Sequence, residues 1–267
     1  MKISDANFTR LVRYVRTNYG INLERKRVLV EGRLSAPAAS MGFADIDAYL
    51  EHILSSSDPR GTVQLINKLT TNHTFFMREP DHFEFMRKTF LPYAEATVQD
   101  KDLRVWCAAC SNGAEPYTMA MVMDDYFGSR GADWDKVILA TDVDTDALKA
   151  AKEGVFTPDF LNACPQHMID RYFEVLDNGN YRVIKKIRDQ VVFKKFNLMN
   201  EIVYKKPFDL ISCRNVMIYF EQDTKEQLVR RLYECTKHGG YLFIGHAENI
   251  PRDSRYEFVQ PAVFRKI

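Results

Sequence analysis

The stretch RVWCAACSNGAEPY, residues 104–117, constrains the fold of this chain more than any other. Leu103 to Cys107 reads as a buried strand, Ala108 to Gly113 as a tight turn of small residues, and Pro116 as the first turn of a helix reaching about Phe127. Such a turn lets backbone approach a ligand closely and points helix N–H groups at it. Glu115 stands where a phosphate-binding loop would carry no acid. The ligand implied is nucleotide-like with a cationic part, not a polyphosphate. The turn lacks G-x-G-x-x-G, which disfavours a dinucleotide dehydrogenase. A plain connection in a doubly wound sheet would look the same.

The surroundings of the turn set the fold class. From about residue 100 strands alternate with helices, which predicts a parallel sheet covered on both faces. Val137–Thr141 is a short apolar strand ending in Asp142, Asp144 caps a helix, and Gly154 closes it. Phe208–Cys213 is a further strand, followed by a helix from about Asp223 to Cys235. Gly239-Gly240 reads as a turn into Tyr241–Gly245, and Ala262–Ile267 as an added edge strand. Between Tyr172 and Phe196 the alternation breaks, and Asp177-Asn-Gly-Asn180 signals a hairpin. A small antiparallel β insertion is therefore expected over about residues 171–196. Its surface is basic: residues 178–206 carry eight basic and two acidic side chains.

Residues 1 to about 92 read as helical. Phe8, Leu11, Val12, Val15 and Tyr19 form a stripe that Gly20 ends, and further helices are expected over 24–40, from Asp45, and through Val63, Ile66 and Leu69. The α/β reading thus has three parts: a small N-terminal helical domain (1–75), a linker helix (76–92), and a Rossmann-like sheet domain (93–267) holding the insertion.

Composition narrows the class of protein. A chain of 267 residues with 46% apolar and 27% charged residues is an ordinary globular enzyme in make-up. Its net charge of +1 argues against a general nucleic-acid binder. No apolar run approaches the ~20 residues needed to span a membrane, so no membrane insertion is expected. The first helix is amphipathic and does not resemble a signal peptide. Five cysteines in no framework spacing fit reduced thiols, hence a cytoplasmic protein. The lone Cys107-x-x-Cys110 pair and the six histidines show no metal-ligand spacing, so no metal is expected; His246 is the histidine worth testing.

Asp142 strengthens the ligand reading. It ends the second strand, where an acid in such sheets accepts hydrogen bonds from a ribose. A capping role is the alternative, but Asp144 is better placed for that, which leaves Asp142 freer for a ligand.

With these residues in view, the chain resembles the CheR-type methyltransferases, S-adenosylmethionine-dependent enzymes that methylate glutamates of bacterial chemotaxis receptors. Residues 70–78 (TTNHTFFMR), 105–117, 140–144 (ATDVD) and 212–220 (SCRNVMIYF) match family motifs, and 245–249 (GHAEN) more weakly. The resemblance implies that Asn72, Thr74 and Arg78 close over the cofactor from the linker. It places the methionine ammonium on Glu115, the ribose on Asp142, the adenine between Asn197 and Leu198, and Arg214 and Asn215 at a strand end beside it. Asn112 and Ala114 depart from the commonest family loop, S-T-G-E-E-P-Y.

The chemistry implied is methyl transfer to a glutamate carboxylate, which is ionised at neutral pH and needs no general base. Arg78 would steer that carboxylate and Tyr219 would line the transfer site; a structural ion pair and a core tyrosine are the bland alternatives. No N-P-P-Y-type motif of amino-base methyltransferases is present. The expected substrate is the helical cytoplasmic methylation region of chemoreceptors, docked on the N-terminal domain, where residues 1–33 hold eight basic against three acidic side chains. In part of the family the hairpin grips a receptor tail peptide; the loop here looks shorter, so a tether-independent monomer is expected. A non-catalytic S-adenosylmethionine sensor is the rival reading.

Overall fold

The computed structural model describes residues 1–56, 59–251 and 255–267. Four helices open the chain: α1 (Asp5–Tyr19), α2 (Arg27–Ser40), α3 (Ile46–Ser55) and α4 (Pro59–Leu69). Local chemistry explains their ends. Ser4 Oγ accepts the Asn7 N–H at the start of α1, Gly20 closes it in the left-handed region, and Asp45 caps α3 through the Ala48 N–H at 2.8 Å. The predicted α1 stripe is buried at Phe8, Leu11, Val12 and Val15, against Val30, Leu34, Tyr49, Leu50, Leu65 and Ile66 of the other three helices. Helix α2 starts later than residue 24, because Glu24 and Arg25 form a turn before it.

The helix expected over 76–92 begins at α5 (Asp81–Phe85), continues through a π-helical turn (Met86–Phe90) and ends with α6 (Leu91–Thr97). Met77 and Glu79 adopt φ of 61° and 56°, left-handed values that no α-helix accommodates, so residues 70–80 run as an irregular strap instead.

The sheet domain follows, with strands and helices alternating as far as its third strand and less regularly after that. It contains β1 (Val105–Ala108), α7 (Ala114–Phe127), β2 (Ile138–Asp142), α8 (Thr145–Glu153), β3 (Val155–Phe156), α9 (Gln166–Tyr172), β4 (Phe173–Val175) and β5 (Tyr181–Val183). It continues with α10 (Lys185–Arg188), β6 (Val191–Lys195), β7 (Phe208–Cys213), α11 (Gln222–Cys235), β8 (Thr236–Phe243), β9 (Tyr256–Gln260) and β10 (Val263–Lys266). The main sheet has the order β6-β2-β1-β7-β8-β10-β9, parallel from β6 to β8, with β10 antiparallel to both of its neighbours. Every residue of β1 and β7 is buried, as strands covered by helices on both faces must be.

Three expectations are corrected. The hairpin forms at Asp177–Asn180, but only β4 and β5 of the predicted insertion pair there, with β3 as a third strand. Val191–Lys195 instead runs parallel to β2, because its alternating Val191 and Phe193 reach the main core. Ala262–Ile267 yields an inner strand; β9 takes the edge. Gly239 and Gly240 lie inside β8, not in a turn before it.

The glycine pair marks an irregularity in the β7–β8 register, between Phe208 and Leu210. A Cβ on Gly240 would meet the backbone oxygens of Lys237, Asp209 and Phe208 at 2.8, 3.0 and 3.1 Å, and backbone cannot rotate away. Gly240→Ala is therefore expected to lower the unfolding free energy by about 1–3 kcal/mol in urea denaturation.

Candidate active site

Strand β1 lies between β2 and β7, yet the chain leaves it towards β2 and β6 and returns only at β7. That reversal opens a crevice beyond the carboxyl ends of β1 and β7, where open α/β sheets bind ligands. A cavity of about 350 Å³ occupies it. The strap contributes Asn72, Thr74 and Arg78 to its wall, and the first turn of α7 contributes Glu115. Asp142 comes from the end of β2, Asn197 and Leu198 from beyond β6, and Arg214, Asn215 and Tyr219 from beyond β7. Every predicted site residue thus faces one space.

The turn is built by its own backbone. Ala109 and Ser111 have positive φ, and the Cys110 N–H donates to the Thr141 carbonyl at 2.9 Å. Gly113 sits at φ 90°, and a Cβ there would lie 3.0 Å from Ala151 Cβ and 3.1 Å from Phe193 Cζ. Asn112, unexplained by sequence, accepts the Ala114 N–H on its Oδ1 at 3.3 Å and so helps start α7.

Glu115, in the first turn of α7, does not stand alone. Its Oε1 accepts from Ser212 Oγ at 2.5 Å, and its Oε2 pairs with Arg214 Nη1 at 3.1 Å. The buried Arg214 guanidinium also reaches Glu79 Oε2 at 3.2 Å and donates to the Arg78 carbonyl. Its Nε has no hydrogen-bond partner. Asn215, at φ 57°, donates from Nδ2 to Glu79 Oε1 at 3.0 Å and from its backbone to Glu248 Oε2 at 2.9 Å. Glu248 further accepts the N–H groups of Gly245 and Ile218, which holds the Asn215–Tyr219 segment. Burial pushes its carboxyl up against the pull of those bonds.

Asp142 is less free than its neighbour's capping role implied. Its Oδ2 accepts the Ser111 N–H at 2.8 Å and its Oδ1 the Asp144 N–H at 2.9 Å, so it clasps the turn while facing the cavity. Burial raises its carboxyl above the ordinary range, with these N–H groups opposing. Asp144 caps α8 as predicted and also accepts from Thr70 Oγ1 at 2.8 Å and Asn72 Nδ2 at 2.6 Å. Asn197 likewise has a structural duty, donating from Nδ2 to the Asn18 carbonyl at 2.7 Å.

One wall escaped the sequence reading. Tyr19, Asn22, Lys26, Leu29 and Arg33 of the helical domain line the cavity. Ile21 bridges to Phe220, and the Asn22 N–H donates to the Tyr219 carbonyl at 2.8 Å. Asn22 Nδ2 also donates to Glu221, 199 residues away, and no local pattern announces such a partner. His246 stacks on buried His82, 5.2 Å between centroids, and with Glu79 they bring possible ligand atoms within 4.8 Å. Both Glu79 oxygens already accept from Arg214 and Asn215.

Asp144 joins the strap to the sheet through one carboxylate. Asp144→Ala is expected to cost about 1–2 kcal/mol as a lost cap and to speed amide exchange selectively in residues 70–80, measurable by hydrogen–deuterium exchange mass spectrometry.

Comparison with known families agrees with this architecture. The family described as "CheR methyltransferase, all-alpha domain" matches residues 6–70, and "CheR methyltransferase, SAM binding domain" matches 72–264. The chemotaxis protein methyltransferase of Borreliella burgdorferi is 36% identical over 271 residues, covering 100% of this chain and 96% of that protein. That of Escherichia coli is 36% identical over 255 residues, covering 93% and 86%. Chemotaxis protein methyltransferase 1 of Pseudomonas aeruginosa is 31% identical over 271 residues, covering 97% and 96%. Helical bundle, strap and sheet are together those of an S-adenosylmethionine-dependent methyltransferase, and the chain belongs to the CheR methyltransferase family.

Proposed function

We propose that this chain methylates glutamate side chains of chemoreceptors, giving glutamyl methyl esters. The observation that carries the reading is the single cavity of about 350 Å³ on which the strap, four strand ends and the helical domain converge. Its size suits a nucleoside cofactor, since ligand pockets start near ~300 Å³. Its donor set suits one too: two carboxylates, Glu115 and Asp142, stand beyond adjacent strands with Leu198 as an apolar neighbour.

S-adenosylmethionine supplies a methyl group on a cationic sulfur. Glu115 holds the ammonium and Asp142 the ribose; Asn197 and Leu198 flank the adenine. Asn72 and Thr74 cover the site from the strap, and Arg214 and Asn215 shape its floor. Arg78, from the strap, and Tyr219, from beyond β7, both line the cavity and orient the incoming carboxylate. That carboxylate is ionised at neutral pH, so the task is alignment, worth ~7–11 kcal/mol, together with exclusion of water.

The docking surface is narrower than the N-terminal charge count implied. Lys2 pairs with Glu31, Arg27 with Asp5, Arg16 with Glu24 and Glu221, and Arg33 donates to the carbonyls of Leu69 and Thr70. Among the described residues, the side chains of Arg10, Arg13, Arg25 and Lys26 are exposed and without partners. These four would meet acidic receptor helices. All five cysteines are free, in keeping with work in the cytoplasm, and no described helix is long and apolar enough to cross a membrane.

Incubated with receptor-containing membranes and tritiated S-adenosylmethionine, the protein is expected to yield base-labile counts. Base-stable counts would indicate N-methylation, and absence of counts with retained cofactor binding a sensor. The hairpin is tight: Gly179 turns at φ 79°, and the Leu176 N–H donates to the Asn180 carbonyl at 2.8 Å. A tether-independent enzyme is expected, so receptor tail peptides should show no binding by calorimetry; micromolar affinity would refute this.

A further inference from the structure

Arg214 has a side chain only 1% exposed, and it lies between two carboxylates that are each 15% exposed. Its Nη1 is 3.1 Å from Glu115 Oε2 and its Nη2 3.2 Å from Glu79 Oε2. One guanidinium against two carboxylates leaves a net charge of −1 in the cluster. His82, whose Nδ1 is 3.7 Å from Glu79, does not cancel it, since burial and the adjacent Arg214 hold the imidazole below its ordinary pKa. Ser212, Asn215 and the buried thiol of Cys107, the other side chains bonded to the two acids, are uncharged.

A buried cation paired with one carboxylate would be neutral and would offer a ligand ammonium little attraction. The second carboxylate changes that balance. It arrives on the strap at a left-handed residue, with φ 56°, and is fixed there by Asn215 Nδ2 at 3.0 Å. Burial pushes the Glu79 carboxyl up, but the Asn215 bond and the Arg214 charge outweigh it, and the group is held in its charged form.

We infer that Glu79 is a positioning residue for the cofactor: it compensates Arg214, so that Glu115 keeps an uncancelled negative charge for the methionine ammonium. This rests on the proposal that Glu115 receives that ammonium. Glu79 itself need not touch the cofactor. Its role is electrostatic, and it couples the strap, which also carries Arg78, to the charge state of the pocket.

Two ligands separate charge from shape. S-adenosylhomocysteine carries the ammonium, while 5′-methylthioadenosine shares the nucleoside thioether and lacks the amino-acid end. In calorimetry, Glu79→Gln is expected to weaken S-adenosylhomocysteine about tenfold and methylthioadenosine less than about twofold, the scale of one partly screened charge. Equal weakening of both ligands, or of neither, overturns the inference. Glu79→Asp keeps the charge and is expected to keep the ratio of the two affinities; loss of that ratio as large as in Glu79→Gln overturns it equally. Glu115→Gln is the control on the underlying reading. If it weakens S-adenosylhomocysteine selectively while Glu79→Gln does not, only the role of Glu79 fails. If it shows no selectivity, the placement of the ammonium fails with it.

Discussion

A guanidinium buried at the end of β7 demands compensation, and much of this site follows from how the chain supplies it. An unpaired buried charge costs several kcal/mol or more, so Arg214 is tolerable only where carboxylates reach it. One comes from α7, which fixes the helix relative to β7. The other comes from the strap, which must leave α-helical geometry at Met77 and Glu79 to deliver it. The same contact draws the Arg78 carbonyl onto Arg214 and so sets where the strap crosses the cavity. The pairing of Arg214 with Glu115 and Glu79 thus helps set the strap's position, and under the proposed function the same Glu115 carboxylate would also meet the cofactor.

The cavity is closed on its other sides by ties of a different kind. At the β2 end, Asp144 takes two backbone N–H groups of α8 and two side chains of the strap, while Asn67 exchanges hydrogen bonds with Thr145. Beyond β7, the Ile21–Phe220 bridge and the Asn22 bonds hold the helical domain against the segment carrying Tyr219. Apolar contacts accompany these clasps: Ile21 packs against the sheet-domain core and Val143 against the helical core. The Arg16–Glu221 ion pair adds a further tie between α1 and the residue just before α11.

Much of this was legible in the chain because the responsible interactions are local. The α1 stripe, the Asp45 and Asp144 caps, the small-residue turn and the β7 strand each depend on neighbours within a few residues, and each is where the sequence placed it. Motif resemblance carried the site residues further than spacing alone would have. Reading failed where the partner was remote. Gly239-Gly240 has the composition of a turn, and only the adjacent backbone of β7 makes it part of a strand. Val191–Lys195 alternates like a hairpin arm, but its apolar face finds β2 and the main core.

The sequence by itself determined the helical bundle, the alternating sheet, the cofactor turn and the family, because helix periodicity, caps and glycine-bearing turns are properties of short segments. Tertiary structure alone decided that Glu79, 135 residues from Arg214, completes the charge balance of the pocket. It also decided that the segment after Gly20 forms one of the cavity walls and that half the basic side chains of residues 1–33 are already engaged. Ion pairs and strand pairing act through space, and the distance along the chain between their partners leaves no periodic trace to read.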